Sequence, residues 1–254
     1  MKKEVIEMRS FINKFSWTFF SNILYAISQF IILSAIAKIG GPEEVGLFTL
    51  AMAIVSPIFL LLNVKLRSIL LTDQKNENSF FDFYRLRNIT NIISIFLVLI
   101  ILLVLNLENY LIITTILLAL SKNFEMKSDI YYGFYQKNNR YDLVGKSTLA
   151  RGVFGSSLAV GSYYIFESII FVMASLLISN FLIYMFYDKR NGFKIGSKNI
   201  FSIENKKGLK KIYYLFLLAL PLGISTVIGS LNTNFPRYLI EAELGLYDLG
   251  IFPP

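Results

Sequence analysis

The 254-residue chain is 55% hydrophobic and only 17% charged, with a mean hydropathy of +0.57. Soluble domains run to about 45–50% apolar and about 25% charged, so the departure is toward the membrane class. With neither Cys nor His in the chain, disulfides, thiolate nucleophiles, Cys/His metal sites and imidazole acid–base chemistry are excluded, and no cofactor or metal is expected.

Seven apolar runs predict seven helices. The first covers residues 15–37 and the second 45–62, with a possible extension to 71. The third covers 89–107. The fourth covers 110–120 with a polar continuation to about 135. The fifth covers 143–165, the sixth 169–187 and the seventh 212–231. Several approach the roughly 20 residues that cross a hydrocarbon core. The first is too long for the apolar region of a signal peptide, and no small-residue cleavage site follows it.

The connections alternate in charge. Of the 25 Lys and Arg residues, 23 fall in the N-terminal tail, in the second and fourth connections with their adjoining helix ends, and in the sixth connection. Such bias marks the cytoplasmic side. The N-terminus is therefore expected in the cytoplasm, with Glu241, Glu243 and Asp248 outside. The net charge of +8 reflects this orientation, and no nucleic-acid partner is expected.

In helix four, Lys122, Glu125 and Asp129 are spaced i, i+3 and i+7, which places them on one face. Helix five carries the small-residue pairs Gly152/Ser156 and Ser157/Gly161, a pattern that permits close helix contact. Pro57 and Pro221 interrupt helices two and seven, with Gly223 close behind. They read either as hinges or as breaks that only shape the bundle. Residues 188–211 are polar and basic and read as a cytoplasmic linker touching anionic headgroups of membrane lipids. The expected division is 1–187 as a six-helix bundle, 188–211 as the linker and 212–254 as the start of a second unit. In the stretch SLNTNFPRYLIEAELG (230–245), Asn234 and Pro236 are expected to cap helix seven and open a short helix. Arg237 would then face a cavity mouth or pair with Glu241.

Ionisable groups within membrane helices are costly and face a cavity or one another. The candidates are Lys38, Arg67, Lys122, Glu125, Asp129, Arg151 and Arg237. Polar Asn22 and Gln29, seven apart on helix one, share a face. Two readings stand for Lys65, Arg67, Lys122 and Arg151. They snorkel to the interface, or they form a basic lining for an anionic substrate, where the planar Arg fork suits phosphate. Glu125 beside Lys122 reads as its neutralising partner. No nucleophile elbow, P-loop, dinucleotide fingerprint or paired-carboxylate motif is present, so no catalytic residue is assigned.

The strings AKIGGPEEVGLFTLAMAIVSPIF (37–59), LRSILLTD (66–73), FDFYRLRNIT (81–90), YYGFYQKNNRYDLVGKSTLARG (131–152), PLGISTVIGSLNTNFPRYLIE (221–241) and LGIF (249–252) together resemble, in order, the Wzx-type oligosaccharide flippases. These are polysaccharide-biosynthesis proteins of the multidrug/oligosaccharidyl-lipid/polysaccharide exporter superfamily. The resemblance implies an all-α, polytopic membrane protein of the bacterial cytoplasmic membrane, built as two helical bundles around a central cavity that often has a basic lining. The implied substrate is an undecaprenyl-diphosphate-linked oligosaccharide moved from the inner to the outer leaflet. Arg67, Lys122, Arg151 and Arg237 are this chain's residues for such a lining. Family members carry more helices than seven, so the chain reads as the first bundle plus one helix of the second. That suggests a truncated product or one half of a split protein, with a second half-transporter chain or other polysaccharide-assembly membrane proteins as partners. Two alternatives share the chemistry. A cation-coupled multidrug exporter of the same fold wants a membrane-buried carboxylate, for which only Glu125 and Asp129 qualify. A membrane glycosyltransferase or polymerase of the same pathway wants a large external loop, and every external loop here is short.

Overall fold

The computed structural model describes residues 2–73, 78–105, 107–195 and 208–251, and every regular element among them is helical. α1 (Lys2–Asn63) is two helices joined at a kink. The residue before a proline is pushed out of the right-handed helical region, and Gly41, preceding Pro42, takes φ 76° and ψ −172°. Glycine accepts that backbone without a Cβ penalty. Pro42 then opens the second half, where its missing N–H would have had no partner anyway. The second helix therefore begins three residues before the predicted 45.

That helix does not run on to 71. Val64 and Lys65 both take left-handed backbone, with φ of 42° and 45°, and the chain restarts as α2 (Leu66–Thr72). A β-branched residue is strained in that region. Tertiary contacts hold it there: Val64 is fully buried, and Gly223 packs close to its backbone.

The chain continues as α3 (Phe80–Leu105), α4 (Asn109–Lys137), α5 (Tyr141–Phe166) and α6 (Ile169–Leu182). A π-helical segment (Ile183–Lys189) extends α6 into α7 (Arg190–Ile195), and α8 (Gly208–Leu244) and α9 (Leu246–Ile251) follow. With α1 counted as two, seven long helical spans match the seven expected. Four described stretches are long and apolar enough to cross a membrane: Ser16–Thr72, Phe80–Leu105, Ile169–Ile195 and Lys210–Leu244. α4 and α5, which carry more polar residues, are not among them.

α5 lies closest to α1. A Cβ at Gly145 would come within 3.0 Å of Trp17, and one at Gly152 within 2.8 Å of the Ser28 hydroxyl. Gly161, also singled out for close contact, faces open space. One core cluster joins both halves of α1 to α3, α4, α5, α6 and α9. The other is rich in aromatic rings and gathers Phe80, Phe83, Tyr131, Tyr135 and Tyr184 at the basic end.

Two expectations change at the C-terminal side. The segment read as linker from 188 onward is still helical to Ile195, and Asp188 within it is fully buried. Residues 196–207 of that linker, and Pro253–Pro254, lie outside the described residues. The seventh helix does not end near 231 but runs unbroken through Pro221 and Pro236 to Leu244. The polar side chains that suggested a cap bond back onto their own helix instead. Thr233 donates to the Ser230 carbonyl at 3.0 Å and Asn234 to the same carbonyl at 2.8 Å. Such i−3 and i−4 bonds keep polar residues within a helix. The turn comes at Gly245, with φ 88°.

Candidate functional site

The second half of α1 ends at the left-handed pair Val64–Lys65, and that break redirects α2 toward α4. Arg67 on α2 donates from Nε to Gln136 Oε1 at 3.0 Å and from Nη1 to Asp129 Oδ1 at 3.1 Å, both acceptors on α4. Its guanidinium also sits 5.5 Å from the Tyr132 ring centre. One face of α4 brings Lys122, Glu125 and Asp129 inward, and Lys122 Nζ binds Glu125 Oε2 at 2.8 Å. From α5, Arg151 donates to Asn180 Oδ1 and to Asp188 Oδ2, each at 3.0 Å, and to the Ser128 hydroxyl. Tyr132 lies between Arg67 and Arg151 and is 6.0 Å from the latter.

These groups surround a cavity of about 370 Å³. Thr18, Asn22 and Tyr25 line it from the first half of α1, and Ser56, Phe59 and Asn63 from the second. Arg67 comes from α2, Lys122, Glu125, Asp129 and Tyr132 from α4, and Thr148 and Arg151 from α5. Gln29 lines a smaller adjoining pocket that shares Tyr25, Lys122, Glu125 and Arg151 with the main one. Asn22, Gln29, Arg67, Lys122 and Arg151 are therefore gathered in one region.

Arg237 lies apart from both polar pockets. Its Nη1 binds Asn234 Oδ1 at 2.9 Å on the same helix, so it neither faces this cavity nor forms the expected pair with Glu241. Glu241 instead lines an apolar crevice of about 440 Å³ with Leu50, Ile54, Pro57, Ile101, Leu231 and Tyr238. That crevice holds little polar chemistry. Pro57 and Pro221 are both inside continuous helix. Gly223 has a defined packing role, because a Cβ there would come within 2.5 Å of the Leu61 carbonyl.

Arg67, Lys122 and Arg151 are each paired with a carboxylate of a neighbouring turn or helix. The reason is energetic, since a charge withdrawn from water needs a partner. The sequence also gave no sign of two further members. Arg87 has no exposure, donates to Asn63 Oδ1 at 2.9 Å and stands 3.9 Å from Asp129 Oδ2, while its Nε and Nη1 have no partner. Asp129 is thus shared by two guanidiniums. Asp188, the partner of Arg151, reaches it from the π-helical segment. That wider turn re-aims the side chain relative to regular helix. Four cations (Arg67, Arg87, Lys122, Arg151) meet three carboxylates (Glu125, Asp129, Asp188), which leaves one positive charge in excess. No group of three or more metal-ligating side chains occurs among the described residues.

A bundle of apolar helices enclosing a charged, partly open cavity is that of a polytopic membrane protein with a polar site inside its bundle. A family profile described as "Polysaccharide biosynthesis protein" matches residues 11–253, and the chain belongs to that family. It is 31% identical over 250 residues to "Capsular polysaccharide biosynthesis protein CapF" of Staphylococcus aureus, an alignment that covers 95% of this chain and 59% of the relative. The chain thus spans about three-fifths of that relative's length. No solved structure matches.

Proposed function

We propose that the chain forms the cavity-bearing bundle of a flippase that moves an undecaprenyl-diphosphate-linked oligosaccharide across the bacterial cytoplasmic membrane, in the service of surface polysaccharide synthesis. The observation that carries this reading is the cluster of Arg67, Lys122 and Arg151 around one cavity within a membrane bundle. Ionisable groups at such depth mark a substrate path. Their excess positive charge suits a diphosphate, and two guanidiniums supply parallel N–H pairs for its oxygens.

In this reading Asp129 and Glu125 are stand-in anions. They hold the cations when no headgroup is present, and the diphosphate competes with them for Arg67 and Lys122. Arg87 and Asp188 keep the first row of side chains aimed. Asn22, Gln29 and Tyr25 offer hydrogen bonds to sugar hydroxyls along helix one. The N-terminus faces the cytoplasm, as the basic connections suggest. No covalent step is involved, and a second bundle supplies the surface against which the first moves.

Cells dependent on the intact protein test this. With Arg67, Lys122 and Arg151 all changed to Ala, lipid-linked repeat units are expected to accumulate on the inner leaflet with their sugar chains unaltered. Normal surface polysaccharide in that strain would remove the site. A changed sugar chain would point instead to a transferase.

A further inference from the structure

The apolar crevice lies toward the end of the bundle away from the basic connections. Its walls come from the second half of α1 (Leu50, Ile54), the end of α3 (Ile101, Leu105) and the last part of α8 (Leu231, Glu241). Glu241 stands ten residues beyond Leu231 on α8. At 1.5 Å per residue that is about 15 Å along the helix, half of the ~30 Å hydrocarbon core and so the depth of one leaflet. Leu105 and Leu231 are 49% and 45% exposed, which opens the crevice sideways toward lipid. Arg237 and Glu241 are four residues apart, a spacing that puts their Cβ atoms about 5–6 Å from each other on one face of the helix. Among the described residues neither belongs to an ion pair. Arg237 uses Nη1 on Asn234 Oδ1 at 2.9 Å, which leaves most of its five N–H donors to give.

An unpaired charge beside apolar walls in a membrane is costly, and empty apolar space forfeits dispersion contacts along its lining. One kind of molecule answers both needs. We propose that the crevice binds a zwitterionic phospholipid with a primary amine in its headgroup, drawn from the leaflet at this end of the bundle. An acyl chain lies between α1, α3 and α8. The headgroup phosphate accepts from the Arg237 guanidinium and the ammonium donates to the Glu241 carboxylate, a charge-assisted bond at each end. In an ethanolamine headgroup two carbons link the phosphate to the amine, a reach that suits two side chains one helical turn apart. A lipid whose headgroup is only anionic would satisfy Arg237 but be repelled by Glu241. The same repulsion excludes a polyprenyl diphosphate, so this lipid is distinct from the proposed cargo. Neither the site nor its test involves the charged cavity, and the inference stands apart from the flippase reading.

Thermal unfolding of the purified full chain in non-ionic detergent tests the site, with added phospholipids that share their acyl chains and differ in headgroup. Phosphatidylethanolamine should raise the melting temperature saturably. Its half-saturating concentration should be roughly a tenth of that for phosphatidylcholine, which has no N–H to donate, or for phosphatidylglycerol, which is anionic. Glu241→Gln should erase the preference for the amine, and Glu243→Gln, an exposed neighbour, should keep it. Arg237→Gln should weaken the response to all three lipids. Leu231→Trp, which fills the crevice from an exposed position, should remove the saturable rise. Equal half-saturation for the three headgroups would overturn the proposal and leave the crevice to another apolar element. So would a preference for the anionic lipid, an amine preference that survives in Glu241→Gln or is lost in Glu243→Gln, or a titration that Arg237→Gln or Leu231→Trp leaves unchanged.

Discussion

The hydroxyl of Tyr238 on α8 donates to the backbone carbonyl of Ala53 on α1, four residues before Pro57. In a regular helix that carbonyl would accept from residue 57, but proline has no N–H to give. Tyr238 supplies the missing donor from another helix, and the two elements are stitched together at the defect. Tyr238→Phe is expected to cost about 1–3 kcal/mol by leaving a buried acceptor unpaired. In a Pro57→Ala background the helix can serve its own carbonyl, so the same change should cost less. A double-mutant cycle on unfolding free energy measures the difference.

Arg151 and Asp188 form the most deeply buried ion pair described, with side-chain exposures of 4% and 0%. Removing one partner strands the other. Asp188→Asn is expected to destabilise the protein by about 3–5 kcal/mol, while replacing both partners by apolar residues should recover much of the loss. Detergent-resistant unfolding and membrane abundance would show both effects. Equal losses for the single and double changes would contradict the pairing.

Gly223 and Gly229 sit six residues apart on α8 and should respond oppositely. A Cβ at 223 would meet the Leu61 carbonyl at 2.5 Å and Val64 Cγ1 at 2.9 Å, whereas one at 229 meets nothing within 4 Å. Gly223→Ala is expected to cost about 1–3 kcal/mol through overpacking. Gly229→Ala should be neutral or slightly stabilising from helix propensity. Melting temperatures of the two variants decide it.

Topology can be read directly, because the natural sequence has no cysteine to interfere. Single cysteines at Lys65 and Lys146 should react with a membrane-impermeant reagent only after cells are opened. Cysteines at Glu43 and Glu167 should react in intact cells. The reverse pattern would invert the orientation.

At the basic end, beyond the apolar body of α5, Asp142 accepts two hydrogen bonds from Arg140 at 2.9 and 3.0 Å. Those bonds, foremost among the causes, hold its carboxyl below the ordinary carboxylate value. Because the folded value is the lower one, the pair's contribution is fully present above the unfolded carboxylate pKa. It is lost as pH falls through the folded value. The pair is exposed, so Asp142→Asn should cost less than about 1 kcal/mol at neutral pH and nothing in strong acid. Unfolding curves at the two pH values check this.

Much of the helical outline was legible because it depends on local chemistry. Apolar runs of sufficient length become helices in any bilayer, and Lys and Arg collect at one set of turns. The Lys122–Glu125 pair was legible too, since three residues along a helix are neighbours wherever the helix lies. Boundaries were less so. The polar SLNTN stretch looked like a cap but bonds back onto α8, and the break at Val64–Lys65 carries no glycine or proline to announce it.

What the sequence alone determined is the helical membrane class, the charge asymmetry between the two ends and the inward polar face of α4. The site itself was settled only by the tertiary structure. Arg67 meets Asp129 from 62 residues away and Arg151 meets Asp188 from 37, while Arg87 was a loop charge until packing enclosed it. Spacing along a chain cannot encode such pairs. A buried cation accepts whichever carboxylate the packed helices place beside it, and that placement follows from the glycine contacts, the π-helical turn and the kink at Gly41 acting together.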